Sequence, residues 1–84
     1  MAEQSEEVVG LVECLVRPLV DFEDDLNITC SEGDDGSIMV EIHVNEQDAG
    51  RVIGRRGRVI KSVRTLARAC ASRTDARVEV EIAE

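Results

Sequence analysis

The residues best equipped for chemistry are consecutive: Val52-Ile53-Gly54-Arg55-Arg56-Gly57-Arg58-Val59-Ile60. Two arginines stand between two glycines, and apolar residues flank the group. A guanidinium fork matches phosphate oxygens two at a time. Glycine lacks Cβ, so it tolerates positive φ and lets a ligand backbone come close. A short helix is expected before the turn, capped by Asn45, with Glu46 and Asp48 in its first turn and Ala49, Val52 and Ile53 on its apolar stripe. A second helix is expected from Arg58. Its first amides and positive dipole end would face the turn, which favours phosphate. Ile53 adds an apolar wall. The pattern suits a single-stranded backbone, with phosphates held at the turn and bases laid along an aliphatic groove.

The letters G-x-x-G alone prove little, because Gly33-Asp34-Asp35-Gly36 has them too. That copy carries two acids and lies between two alternating segments, so it reads as a hairpin turn that repels phosphate. Context separates the two copies.

Charge supports the same choice. The chain has 84 residues and a formal net charge of −8, which taken alone argues against nucleic acid. Between Arg51 and Arg77, however, nine basic residues face one acid, Asp75. The remainder holds one basic residue, Arg17, and seventeen acids. Segment charge matters more than the total for association. A single aromatic residue, Phe22, excludes readers that stack bases on aromatic platforms.

The elements that must position this turn follow from periodicity. Ser5 reads as an N-cap, followed by Glu6 and Glu7. Val8, Leu11, Val12, Leu15 and Leu19 then recur at helical spacing, and Pro18 should end or kink that helix near Arg17. Asp21 to Asp25 is an acidic connection. Leu26, Ile28 and Cys30 alternate as a strand. After a turn over 31–37, Ile38, Val40, Ile42 and Val44 form a second strand. In the helix from Arg58, residues Val59, Val63, Leu66 and Cys70 share a face, flanked by Ile60 and Ala67, while Arg58, Lys61, Arg64 and Arg68 point elsewhere. After 72–75, Val78, Val80 and Ile82 alternate as a third strand. The order is α-β-β-α-α-β within one domain, residues 1–84. Strands two and three are joined through two helices and so are expected parallel, by a right-handed crossover. The expected class is α+β: a three-stranded mixed sheet with helices on one face and a polar opposite face.

Other functions find little support. His43 falls on the polar strand face with Met39 and Glu41 and has no evident acid-base or nucleophile partner. No catalytic group, metal site or cofactor is expected. Cys14, Cys30 and Cys70 form no C-x-x-C and have no ligand spacing to His43. They read as small hydrophobes of a reducing cytoplasm, with Cys14 off the apolar stripe and exposed. No signal-peptide pattern or membrane-length apolar run occurs.

Val-Ile-Gly-Arg-Arg-Gly-Arg-Val-Ile-Lys resembles the signature of a KH domain, whose GXXG loop clamps about four nucleotides. The element order resembles the type II, prokaryotic arrangement. The resemblance runs along the chain: Leu11-Val12 and Leu19-Val20-Asp21, then Asp24-Asp25-Leu26, then Gly50 through Lys61. As a whole the chain is similar to the stand-alone bacterial KH proteins of the KhpA family. The loop pair is Arg-Arg where that family often has a lysine and a polar residue, a change that keeps phosphate affinity. The resemblance implies RNA binding of low sequence specificity, as a post-transcriptional regulator or RNA chaperone. Gly54, Arg55, Arg56 and Gly57 would form the clamp, Ile53 the groove wall, and Arg58 and Lys61 nearby phosphate contacts. It also implies self-association or pairing with a larger KH-containing bacterial protein. Single-stranded DNA is the alternative ligand. The alternative function is an assembly module whose nucleic-acid contacts are incidental, suggested by the apolar first helix and the acidic half.

Overall fold

The structure, a computed structural model, describes residues 2–71 and 77–83. Arg73, Asp75 and the turn expected over 72–75 lie outside the described residues. Three helices and three strands follow the expected order: α1 (Ala2–Val16), β1 (Asn27–Glu32), β2 (Ile38–His43), α2 (Glu46–Ile53), α3 (Arg58–Cys70) and β3 (Val78–Ile82). β1 pairs antiparallel with β2, and β2 pairs parallel with β3. The sheet order is β1-β2-β3, so β2 is central. This is the mixed α+β arrangement that the alternation pattern predicts.

The core is almost entirely β-branched. Ile38, Val40 and Ile42 of β2 and Val78 and Val80 of β3 are buried. They meet Val8, Val12 and Val16 of α1, Val52 of α2, and Val63 and Ala67 of α3. β-Branched residues suit a pleated surface. Leu15, Leu19 and Leu26 pack only at the margin. Asn27, Thr29, Met39 and Glu41 point away from the helices and are exposed.

Three expectations need correction. Ser5 is not an N-cap, because α1 already begins at Ala2. Instead it is buried, and its hydroxyl donates to the Glu32 carboxylate, tying α1 to the end of β1. In the α1 stripe Val8 and Val12 are buried as expected, but the third buried position is Val16, and Leu11, Leu15 and Leu19 are only half-buried. Leu66 is 46% exposed, and Ala67 takes its place in the core. Successive helical residues are turned about 100° apart, so the small Ala67 lets α3 lie close to the sheet while Leu66 is carried past its edge.

Pro18 acts as expected. It stands at the start of a 3₁₀ turn, Arg17–Leu19, which follows directly on α1. The acidic connection after it is fastened to α2. The buried Asp48 accepts from the backbone amides of Asp21 (3.1 Å) and Phe22 (3.0 Å). Arg51 donates to the Leu19 carbonyl (3.2 Å) and pairs with Asp21 (3.1 Å). Asn45 caps α2 through the Gln47 amide (2.8 Å) and reaches Asp25 with its Nδ2 (2.9 Å). The sequence suggested only a dipole role for Asp48; in the fold it is the peg that fixes where α2 sits.

Burial favours the protonated form of Asp48, but the two amides and the Arg51 charge outweigh it and hold its pKa below the ordinary range. A depressed carboxyl stabilises fully above the unfolded-state pKa, ~3.9, and its contribution fades as pH falls through the lower folded value. Asp48→Asn leaves one of the two amides without an acceptor. It should lower Tm by about 5–10 °C near neutral pH, and the gap should narrow below about pH 4, read by thermal melts across pH.

Candidate nucleic-acid interface

α2 ends at Ile53 and α3 begins at Arg58, with Gly54 and a 3₁₀ turn at Arg55–Gly57 between them. The geometry of this elbow depends on glycine. Gly54 has φ 79° and ψ 169°, a region open essentially to glycine alone. A Cβ there would stand 2.4 Å from Cγ2 of Val59 and 2.8 Å from its backbone nitrogen. The sequence suggested that this glycine admits a ligand backbone. In the structure the close neighbour is the first turn of α3 itself. Gly57 (φ 72°, ψ 18°) is left-handed, and a Cβ there would meet only Cγ2 of Ile60 at 4.0 Å, an ordinary contact.

Arg56 is also left-handed, at φ 58° and ψ 26°, and is the one non-glycine residue with positive φ among the described residues. That conformation costs an L-residue about 1–2 kcal/mol. Two amides expected to be open are used internally. The Gly57 amide donates to the Gly54 carbonyl (3.0 Å), and the Arg58 amide donates to that of Arg55. No side chain caps the start of α3.

The basic residues divide into two sets. Arg64 donates to the Val80 carbonyl (3.0 Å), and Arg68 donates to that of Val78 (3.2 Å) while pairing with Glu79 (3.6 Å). These arginines tie α3 to the outer edge of β3, an edge otherwise open to further strand pairing. Arg51 is held by Asp21 and Leu19. Arg55, Arg56, Arg58 and Lys61 are exposed, and among the described residues none of them is in an ion pair. Apart from Arg77, exposed just before β3, the unpaired positive charge of the described residues is concentrated on the elbow and the first turn of α3.

The structure also divides the predicted site residues between two grooves. Ile53, 39% exposed, lines one groove with Ile60, Arg64, Ile82, Ala83, Glu41 and Glu81. Arg58 and Lys61 line the other, along the outer face of α3 with Ser62, Thr65 and Leu66. Gly54, Arg55, Arg56 and Gly57 form the ridge between α2 and α3. Sequence reasoning missed Ile60, Ile82, Glu41 and Glu81 as groove residues. The first two read as ordinary core positions and the last two as an ordinary polar strand face. Their meeting depends on where α3 crosses the end of the sheet. The Gly33–Gly36 copy is the β1–β2 turn, closed by the Gly33 amide on the Ser37 carbonyl (2.9 Å) and by Asp35 accepting from the Ser37 amide (3.0 Å).

One three-stranded mixed sheet in α-β-β-α-α-β order, with a glycine-bracketed cationic elbow between the second and third helices, defines a KH domain of the type II arrangement. The family comparison agrees and is narrower: the model described as KhpA/KhpB, KH domain, matches residues 10–82. The chain is 43% identical over 74 residues to the RNA-binding protein KhpA of Borreliella burgdorferi, covering 88% of this chain and 89% of that one. It is 42% identical to the RNA-binding protein KhpA of Listeria monocytogenes, covering 88% and 96%. With the RNA-binding protein KhpA of Clostridium perfringens the identity is 39%, covering 86% and 95%. The chain belongs to the KhpA/KhpB KH-domain family.

The two glycines should not be equivalent. Gly54→Ala must displace α3 as well as strain the backbone and should cost about 3–5 kcal/mol. Gly57→Ala meets only an ordinary contact with Ile60 and should cost about 1–2 kcal/mol for its left-handed backbone. Urea denaturation of the two variants beside the parent chain gives the ranking.

Proposed function

We propose that this protein binds single-stranded RNA by gripping its backbone at the elbow, with low sequence specificity, in post-transcriptional regulation or as an RNA chaperone. Arg55 and Arg56 contact phosphates, Gly54 and Gly57 shape the turn, and Arg58 and Lys61 extend the cationic surface. Ile53, with Ile60 and Ile82, offers the bases an aliphatic floor. The observation that carries this reading is Arg56: a strained, exposed, unpaired cation at the tip of the elbow. Strain of that kind is retained where the side chain is needed. The naming of the Borreliella and Listeria relatives as RNA-binding proteins supports the same ligand. The elbow grips a sugar-phosphate chain as such, so single-stranded DNA is the competing ligand. The 84 residues act as one binding unit, in the cytoplasm.

A second reading, self-association or pairing with a larger KH protein, is favoured by Leu66, a large apolar side chain exposed within the α3 groove. It complements the first. One site contacting about four nucleotides binds weakly, and a second tethered site raises the effective concentration. Leu66→Glu should then convert an assembled species to monomer in light scattering.

If ~2–4 phosphates are neutralised, log K against log salt should fall with a slope of about −1.4 to −2.8. Arg55→Asp with Arg56→Asp should weaken binding to an unstructured RNA oligomer at least about tenfold and flatten the slope, with Tm unchanged. Replacing Asp34 and Asp35 by alanine should not weaken it. Arg56→Gly should raise stability by about 1 kcal/mol while lowering affinity. A flat salt plot, or unaltered affinity in the double aspartate variant, defeats the reading; anisotropy titration measures both.

A further inference from the structure

Four large apolar side chains stand exposed among the described residues: Phe22, Met39, Ile53 and Leu66. Ile53 lines the groove beside the elbow, and Met39 stands on the polar face of β2. Phe22 and Leu66 remain, and their surroundings carry opposite charge. Phe22 is 41% exposed within Asp21-Phe22-Glu23-Asp24-Asp25, a run whose other members are all carboxylates. Asp21 pairs with Arg51, Glu23 with Arg17, and Asp25 accepts from Asn45. Asp24 is exposed and, among the described residues, in no ion pair. Leu66 stands in the groove along the outer face of α3, ≈ 950 Å³ in volume, which four cations and a single acid, Glu79, help to line. Arg68 pairs with Glu79 and Arg64 is bonded to the Val80 carbonyl, so Arg58 and Lys61 are the cations left over there. An exposed apolar surface rimmed by polar groups marks a place for a partner. Complementary charge decides which partner fits.

We propose that the acidic connection of one copy docks into the α3 groove of a second copy, with Phe22 against Leu66 and Asp24 facing Arg58 and Lys61. The proposal rests on the α3 groove being an assembly surface and adds what fills it. The connection does not fill the groove of its own chain: none of residues 21–25 lines it. It is pinned elsewhere, by Asp48 on the Asp21 and Phe22 amides (3.1 and 3.0 Å) and by Arg51 on Asp21 (3.1 Å). The same pinning presents Phe22 from a fixed backbone, so docking costs little ordering entropy. Plug and groove are different surfaces, which makes the contact heterologous. A copy that has lost its plug can therefore still receive one, and a copy that has lost its groove can still supply one. Arg55 and Arg56 do not line the α3 groove, so the elbow stays open in the assembly. Each added copy then offers a long polyanion a further tethered elbow.

The test is sedimentation across concentration for the parent, Phe22→Ser, Asp24→Lys, Leu66→Glu, and an equimolar mixture of Phe22→Ser with Leu66→Glu. The parent should associate at low salt and dissociate as salt rises, because exposed charges are screened. Phe22→Ser and Leu66→Glu should each raise the dissociation constant at least about tenfold, as the loss of a central apolar anchor does. Asp24→Lys should raise it about two- to fivefold with Tm unchanged, which keeps a readout should Phe22→Ser disturb the fold. The mixture should regain a one-to-one complex, since Leu66→Glu retains the plug and Phe22→Ser retains the groove. A mixture that stays monomeric overturns the proposal, as a symmetric contact of Leu66 with its own copy requires. Association of both Phe22→Ser and Asp24→Lys at parental strength also overturns it; if Leu66→Glu is then monomeric, the groove reading survives with another occupant. A parent that is monomeric throughout, or a Leu66→Glu variant that associates as the parent does, defeats the groove reading and the proposal with it.

Discussion

The whole arrangement hangs on a missing side chain. α3 starts so close to the Cα of Gly54 that a β-carbon would collide with the backbone nitrogen of Val59. That approach lets two helices meet through a single 3₁₀ turn, whose two arginines are exposed. Strain at Arg56 is a consequence of the same tightness. The elbow is thus a rigid product of sterics, with its cations directed outward before any ligand arrives. A preorganised site loses less ordering entropy on binding.

Rigidity at the elbow would be of little use if α2 could drift. Asp48 prevents that by taking two backbone amides of the acidic connection, and Arg51 adds a carbonyl and a carboxylate from the same segment. At the other end of the unit, Arg64 and Arg68 seal the edge of β3 and hold α3 along it. Three arginines that look in the sequence like part of a basic surface are therefore committed to the fold. The surface left for a polyanion is smaller and better focused than the count of bases implies. Against an acidic remainder, that focus discourages indiscriminate binding.

The groove beside the elbow brings together Ile53 of α2, Ile60 of α3 and Ile82 of β3. Its apolar lining is aliphatic, in keeping with a chain whose single aromatic, Phe22, lies in the acidic connection.

Much of this was legible in the residues alone. Alternation of β-branched residues with polar ones gave the three strands, because side chains on a strand point to opposite faces in turn. Gly-Arg-Arg-Gly between two apolar stripes marked the elbow, because turn chemistry is local. What periodicity blurred were helix faces: Leu66 placed at the centre of the α3 stripe and Ala67 at its flank, Val16 left out of the α1 stripe, and Ser5 taken as a cap. Neighbouring positions on a helix differ by a rotation that only the packing partner resolves. Tertiary structure alone decided which arginines are spent on the β3 edge, that Asp48 is a peg, that Gly54 yields to Val59, and that Glu41 and Glu81 share a groove with Ile53. Each of these joins segments far apart in the chain or turns on a distance of a few ångströms. A linear pattern carries no information about either until the sheet and helices are packed.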